Sequence, residues 1–358
     1  MQYWTIQTLN SLALGGLLFL LAAGFSIIFG LMRIANLTHG SMYMLGAYAG
    51  ASVLTGGLRV RVPGSDLALF LVASGFLLLF GVMRLARLRQ RTMVYALGAY
   101  ALVAVAACAL MLRTPGSAFE GAITLPDFAR NMWIAVAAGA LLVGVFGVAL
   151  ERLILRELTG NALGQVLVTL GISFIVADFC LMVWGGDPIP VPTPPSLQAP
   201  LRVGSVAFPT YRLVVLVIAV VTAVALYLLM DRTRVGAMIR AGVDDPQMAR
   251  AVGIPVSKLF TAVFCLGAAL AGAGGIIGGP IMSAYPGLDA DMLPLALIVV
   301  MLGGVGSLLG AFVGSFLTGA IYTFGTALLP DLAYVILFLP MIFVIAFRPR
   351  GLFGRQTV

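Results

Sequence analysis

The 358-residue chain is 61% hydrophobic and only 9% charged, with a mean hydropathy of +1.10, whereas a soluble domain carries about 25% charged residues. That excludes an ordinary soluble fold. The formal net charge of +8 comes from basic residues in short stretches between apolar runs, which points to a membrane surface and a lipid bilayer, not to nucleic acid.

Taken in chain order, apolar runs fall at 9–32, 41–56, 67–83, 92–112, 132–150, 162–184, 212–230, 259–279, 293–309, 311–329 and 331–347. A helix needs about 20 residues to cross the hydrocarbon, and lipid forces the backbone to satisfy its own hydrogen bonds. The runs lack the alternation of barrel strands. The expected fold is therefore all-α, a polytopic transmembrane helical bundle of about 9–11 spans forming one domain over 1–358. The runs at 41–56 and 293–309 are short, as broken or re-entrant helices would be. No Lys or Arg precedes the first run, so it reads as an uncleaved span and not a signal peptide. Counting basic residues on alternate sides gives 15 against 6. The positive-inside rule then puts the N-terminus outside and the C-terminus in the cytoplasm.

An internal repeat precedes any motif. LFLLAAGFSIIFGLMR, Leu18 to Arg33, matches LFLVASGFLLLFGVMR, Leu69 to Arg84, at ten of sixteen positions, and Leu45-Gly46-Ala47-Tyr48 recurs as Leu97-Gly98-Ala99-Tyr100. Residues 57–131 thus read as an inserted, duplicated helical hairpin plus its trailing loop. The first copy's Ala35-Asn36-Leu37-Thr38-His39-Gly40-Ser41 is replaced in the second by the basic run Arg87-Leu88-Arg89-Gln90-Arg91. Asn36 and His39, with Thr38, are candidates either for capping the following helix or for contact with a translocated substrate or a partner. Asp178 lies inside the 162–184 run. An ionisable group there is a candidate for a translocation path or for a local hydrogen bond near the outer interface. Between Gly185 and Arg212 seven prolines stiffen a loop that either docks a partner or connects two spans.

The polar stretch 231–258, DRTRVGAMIRAGVDDPQMARAVGIPVSK, leaves the bilayer yet holds an apolar stripe. Asp244 or Asp245 can cap a helix, and Pro246 suits its first position. Met248, Ala251 and Val252 then share a face, and Gly253 can close a helix of about eight residues in a left-handed cap. Such an element is suited to docking into another protein, the alternative being a solvated connector. Gly274/Gly278, Gly306/Gly310 and Gly310/Gly314 fall four apart and read as helix-packing positions, within the chain or toward a second subunit.

The single lysine, Lys258, is not preceded by Gly, and His39 is the only histidine. A phosphate-binding loop needs Gly-Lys-Ser/Thr, so ATP hydrolysis of that kind, metal clusters and Ser-His-Asp catalysis are not expected. Cys108, Cys180 and Cys265 lie far apart inside apolar runs and read as small buried hydrophobes.

Arg240-Ala241, Asp245, Ala249 and Gly253-Ile254 resemble the coupling loop of branched-chain amino-acid ABC permeases. GFSIIFGLMRIANLTHGSMYMLGAY, with Asn36, His39, Gly40 and Tyr43, is similar to that family's opening signature, nearer to the LivH-type than to the LivM-type subunit. LGGVGSLLGAFVGSFLTG, FRPRGLFG and Glu151-Arg152 with Arg156 resemble it too. The likeness leaves aside about residues 57–131. It implies a permease subunit, not an enzyme, with no cofactor of its own, pairing with a second permease subunit and docking two ATPase subunits that carry ATP and Mg. A periplasmic substrate-binding protein would deliver the substrate. The rival readings are a same-family permease for urea, amides or a sugar, and a stand-alone secondary transporter. The latter needs coupling-ion chemistry, for which Asp178 is the one clear candidate.

Overall fold

The computed structural model describes residues 2–32, 36–63, 118–124, 131–203, 206–348 and 351–354. The copied spans 67–83 and 92–112, the basic tip Arg84 to Arg91, Cys108 and Arg33 lie outside the described residues.

The helices are α1 (Gln2–Met32), α2 (Thr38–Leu54), α3 (Met132–Leu150), α4 (Ala162–Trp184), α5 (Thr210–Arg232), α6 (Arg234–Asp244), α7 (Pro246–Ala251), α8 (Val256–Met282), α9 (Leu288–Gly303), α10 (Leu308–Leu328) and α11 (Ala333–Phe347). A π-helical turn, Glu151–Leu155, extends α3. Six of these helices (α1, α3 with its extension, α4, α5, α8 and α10) are long and apolar enough to cross a membrane. At 17 and 16 residues, α2 and α9 span only about 25 Å. Helix α1 begins at Gln2, earlier than its apolar run suggests. Nothing in Gln2 to Asn10 breaks a helix, and Trp4 stacks on Phe324 of α10 at 6.1 Å. Tyr3 and Trp4 are half exposed, as residues of an interfacial aromatic belt are.

Two short ribbons qualify the all-helical expectation. Strand β1 (Gly57–Pro63) pairs antiparallel with β2 (Ala118–Thr124), Gly57 opposite Thr124 and Pro63 opposite Ala118. The described residues on either side of 64–117 are thereby held next to each other. Strands β3 (Pro200–Val203) and β4 (Val206–Pro209) form a second ribbon inside the proline-rich loop.

The bundle is layered around α1, α2 and α8. Their contacts are made backbone to backbone. A Cβ at Gly24 of α1 would strike the Gly267 carbonyl of α8, one at Gly46 of α2 that of Gly272, and one at Gly275 would lie 2.8 Å from Ala47 N. Without a hydrophobic drive between helices in lipid, such close approach is what packs them. Around this centre α3, α4 and α5 expose Leu141, Leu163 and Val221 at 70%, 70% and 61%, an apolar surface suited only to lipid or to another membrane subunit.

The glycines singled out by spacing all meet the chain's own helices. Gly274 and Gly278 face Leu20, Leu17 and Tyr43, and Gly310 and Gly314 of α10 face Gly303 and Val299 of α9. Gly306 departs from the spacing argument. It lies in the α9–α10 turn at φ +78° against Gly30 of α1, so it shares no helical face with Gly310. Cys180 is buried and Cys265 partly so, both free.

The first and the last described residues lie at opposite ends of the bundle. The N-terminal turns of α1 meet the end of α10 through Trp4 and Phe324. Leu352 and Phe353 donate backbone hydrogen bonds to Leu302 and Gly303, beside the turn that packs on Gly30 near the other end of α1.

Candidate functional site

The polar stretch 231–258 folds as two helices and not one. Thr233 caps α6 by accepting from Gly236 N at 3.1 Å, and α6 turns Gly236, Ile239 and Gly242 inward. Arg240 donates to the Met230 carbonyl and lies 3.5 Å from Asp231, so its guanidinium ties α6 back to the end of α5. Asp244 is the last residue of α6. The cap of α7 is Asp245, whose Oδ1 accepts from Gln247 N and Met248 N, both at 2.9 Å, with Pro246 in first position. At the far end Gly253 (φ +88°) donates to Arg250 O and Ile254 to Ala249 O. That pair of bonds is a Schellman closure. Both ends of this six-residue helix, shorter than the eight expected, are thus satisfied locally.

The short helix faces two ways. Ala249 is 3% exposed and anchors it, while Met248 and Val252 are 62% and 69% exposed and Ala251 is exposed beside them. Its apolar face has no partner among the described residues. Only the four residues Val252 to Pro255 separate it from α8, one of the three central helices, so a displacement of α7 has a short path into the core.

A second cluster lies deep inside. Residues 36–38 return into the bundle. Thr38 Oγ1 donates to Thr169 O (2.9 Å) and Leu37 N to Thr169 Oγ1 (3.2 Å). His39 Nε2 sits 3.0 Å from Leu21 O, and its ring lies 5.4 Å from Phe25. Leu21 is roughly 16 Å along α1 from its end, so α2 starts near mid-depth. There it meets the start of α9. Ser41 Oγ donates to Asp289 Oδ2 at 2.9 Å, and Ser173 of α4 lies 2.6 Å from Ser41 and 3.4 Å from Asp289. Asn36 Oδ1 accepts from Thr38 N at 3.1 Å. Asn36 and His39 thus organise the start of α2 while wholly buried. Two helix N-termini meeting at mid-depth aim their positive dipole ends into the bundle, and the Asp289 carboxylate sits on one of them.

Asp178 does not join this seam. It is exposed on α4, on the same face as Phe174 and Leu181, and has no hydrogen-bond partner among the described residues, against the local bond its depth suggested. The acid buried at this seam is Asp289, 9% exposed. Sequence reasoning missed it because it precedes the apolar run at 293; the available signal was Asp289 and Asp291 sitting where a first helical turn carries acids.

A model of the family described as branched-chain amino acid transport system permease components matches residues 60–345, and so runs through the stretch that the motif resemblance leaves aside. The chain is 23% identical to the high-affinity branched-chain amino acid transport system permease protein LivH of Escherichia coli (strain K12), over 99% of this chain and 97% of that protein. It is 24% identical to BraD of Pseudomonas aeruginosa, a permease protein described in the same words, over 98% and 96%. A shorter match, 30% identical over 40% of this chain and 42% of the relative, is to the fructose import permease protein FrcC of Rhizobium meliloti. No solved structure matches. With its apolar helices and this match over most of its length, the chain is a multi-pass inner-membrane protein and belongs to the family of branched-chain amino acid transport system permease components.

Proposed function

We propose that this chain is the permease subunit of a binding-protein-dependent ABC importer that carries a branched-chain amino acid across the inner membrane. The energy comes from ATP hydrolysed, with Mg, on two separate ATPase subunits. A second permease subunit and a periplasmic substrate-binding protein complete the assembly, with the N-terminus outside and the C-terminus cytoplasmic. The observation that carries this reading is α7, a doubly capped helix whose exposed Met248, Ala251 and Val252 have no partner among the described residues. The substrate class rests on the LivH and BraD relatives. Absence of a Gly-Lys-Ser/Thr motif assigns ATP to the partners, so this chain is not itself an enzyme. Closure of the ATPase pair pushes α7, α8 shifts against its glycine contacts with α1 and α2, and the seam at Ser41, Ser173 and Asp289 is repacked. Asn36 and His39 set the position of that seam, and Asp178, on an exposed membrane face, is a candidate for the wall shared with the second permease subunit.

The FrcC match supports a second reading, a sugar as substrate. Reconstituting the complex with its binding protein and measuring labelled leucine against labelled fructose uptake decides between them. Leucine uptake that requires ATP and all the subunits is the expected result. ATP-independent uptake by this chain alone would sink the importer reading.

A further inference from the structure

The end of α3 holds a feature that translocation does not use. In the π turn, Arg156 N donates to Glu151 O at 2.9 Å. The Glu151 carboxylate is buried and accepts from the Arg156 guanidinium at 3.0–3.1 Å and from Thr261 Oγ1 at 2.9 Å. Arg156 is thereby neutralised. Arg152, Arg250 and Lys258 are not: each is exposed, and none has an acidic partner among the described residues. All three line one cavity of 730 Å³ between the π turn, the end of α7 and the first turn of α8. Glu151, already paired, is the one acidic residue lining it among the described residues.

Below this cationic rim the surface is apolar and continuous. Ile134, Leu141, Val145 and Ala149 lie exposed along one face of α3, and Arg152 is the next residue on that face. The cavity floor is completed by Met32, Ile254 and Phe260. A ligand that fits both parts has a negative head and an apolar shaft several turns long. An inorganic anion would use only the rim, and an acidic protein segment would leave the α3 face bare.

We propose that the cavity bounded by Arg152, Arg250 and Lys258 is a binding site for the phosphate headgroup of an anionic phospholipid whose acyl chains lie along the exposed face of α3. The headgroup braces α3, the exit of α7 and the start of α8 together, so lipid composition bears on the helix proposed to receive the ATPase stroke. The binding itself needs no other subunit.

The test uses the full-length chain, delipidated in neutral detergent and followed by native mass spectrometry. It is titrated with dioleoylphosphatidylglycerol, with dioleoylphosphatidylcholine, and with millimolar inorganic phosphate as a competitor. Phosphatidylglycerol is expected to bind in preference to phosphatidylcholine. Each neutralised cation (Arg152→Gln, Lys258→Gln) should weaken it about fivefold and the pair about 25-fold, with Lys258→Arg restoring it. Arg202→Gln, on β3 at the other end of the bundle, should change nothing. Equal retention of the two lipids, or full phosphatidylglycerol binding by the double variant, would overturn the site. Displacement by inorganic phosphate would show a free-anion site and overturn the lipid assignment. Because neither ATPase nor transport enters the measurement, its failure would leave the importer reading untouched.

Discussion

Truncating Met248 and Val252 together to Ala tests the docking role of α7 most directly. In the free chain these side chains are 62% and 69% exposed, so about two-thirds of the surface of each remains to be buried. Full burial of such a side chain stabilises by about 1.5–3 kcal/mol. The part still to be gained, less the retained Cβ, comes to about 2–3 kcal/mol for the pair, or about 30–150-fold in docking affinity. The permease alone should unfold at its parental temperature, because neither side chain supports the fold. The assay is binding of the purified ATPase subunit to permease in nanodiscs, alongside thermal unfolding of the permease. Ala251→Asp, which sets a charge in the same contact, should reduce transport and substrate-stimulated ATP hydrolysis together. Docking of the Met248→Ala/Val252→Ala variant within threefold of the parent, with unfolding unchanged, would refute the assignment of α7.

Three further expectations follow from the packing. A Cβ at Gly253 would meet no atom within 4 Å, but Gly253→Val must hold φ +88°, so it should cost about 1–2 kcal/mol through the backbone and lower coupling while leaving membrane insertion intact. Gly46→Ala puts a methyl against the Gly272 backbone of α8, whereas Gly171→Ala meets open space. The first should lower thermal stability by about 1–3 kcal/mol and the second should be silent, as read by unfolding in detergent. Arg156→Ala strands a buried carboxylate, while Glu151→Gln leaves an arginine that is 39% exposed and can reach water. The arginine variant should therefore be the more destabilised, by about 1–3 kcal/mol after allowance for that exposure; equal unfolding temperatures would count against it.

The contrast between Asp178 and Asp289 shows where linear reading runs out. Depth along an apolar run identifies a costly position but not the direction a side chain takes from the helix. Asp178 is deep in its run yet outward-facing, while Asp289 sits before its run yet points into the bundle, because α9 starts at mid-depth against α2. The polar stretch 231–258 was far more legible. Asp245 and the Gly253 turn act through bonds two to five residues apart, with Pro246 in the first helical position, and capping chemistry is written locally. Even there α6 was missed, since its amphipathic face is short and is recognised only once Ile239 and Gly242 find the core.

Composition and run length determined the membrane class, the position of most of the described helices and the exposed, capped short helix, because the bilayer imposes a length and a polarity on each segment independently of its neighbours. Only the tertiary structure decided that α2 and α9 stop short inside the bundle, that Gly306 belongs to a turn packed on Gly30, and that Glu151 spends its charge on Arg156 and leaves three cations free. Those outcomes depend on pairs of residues as much as 248 positions apart in sequence, and no local periodicity encodes which faces meet.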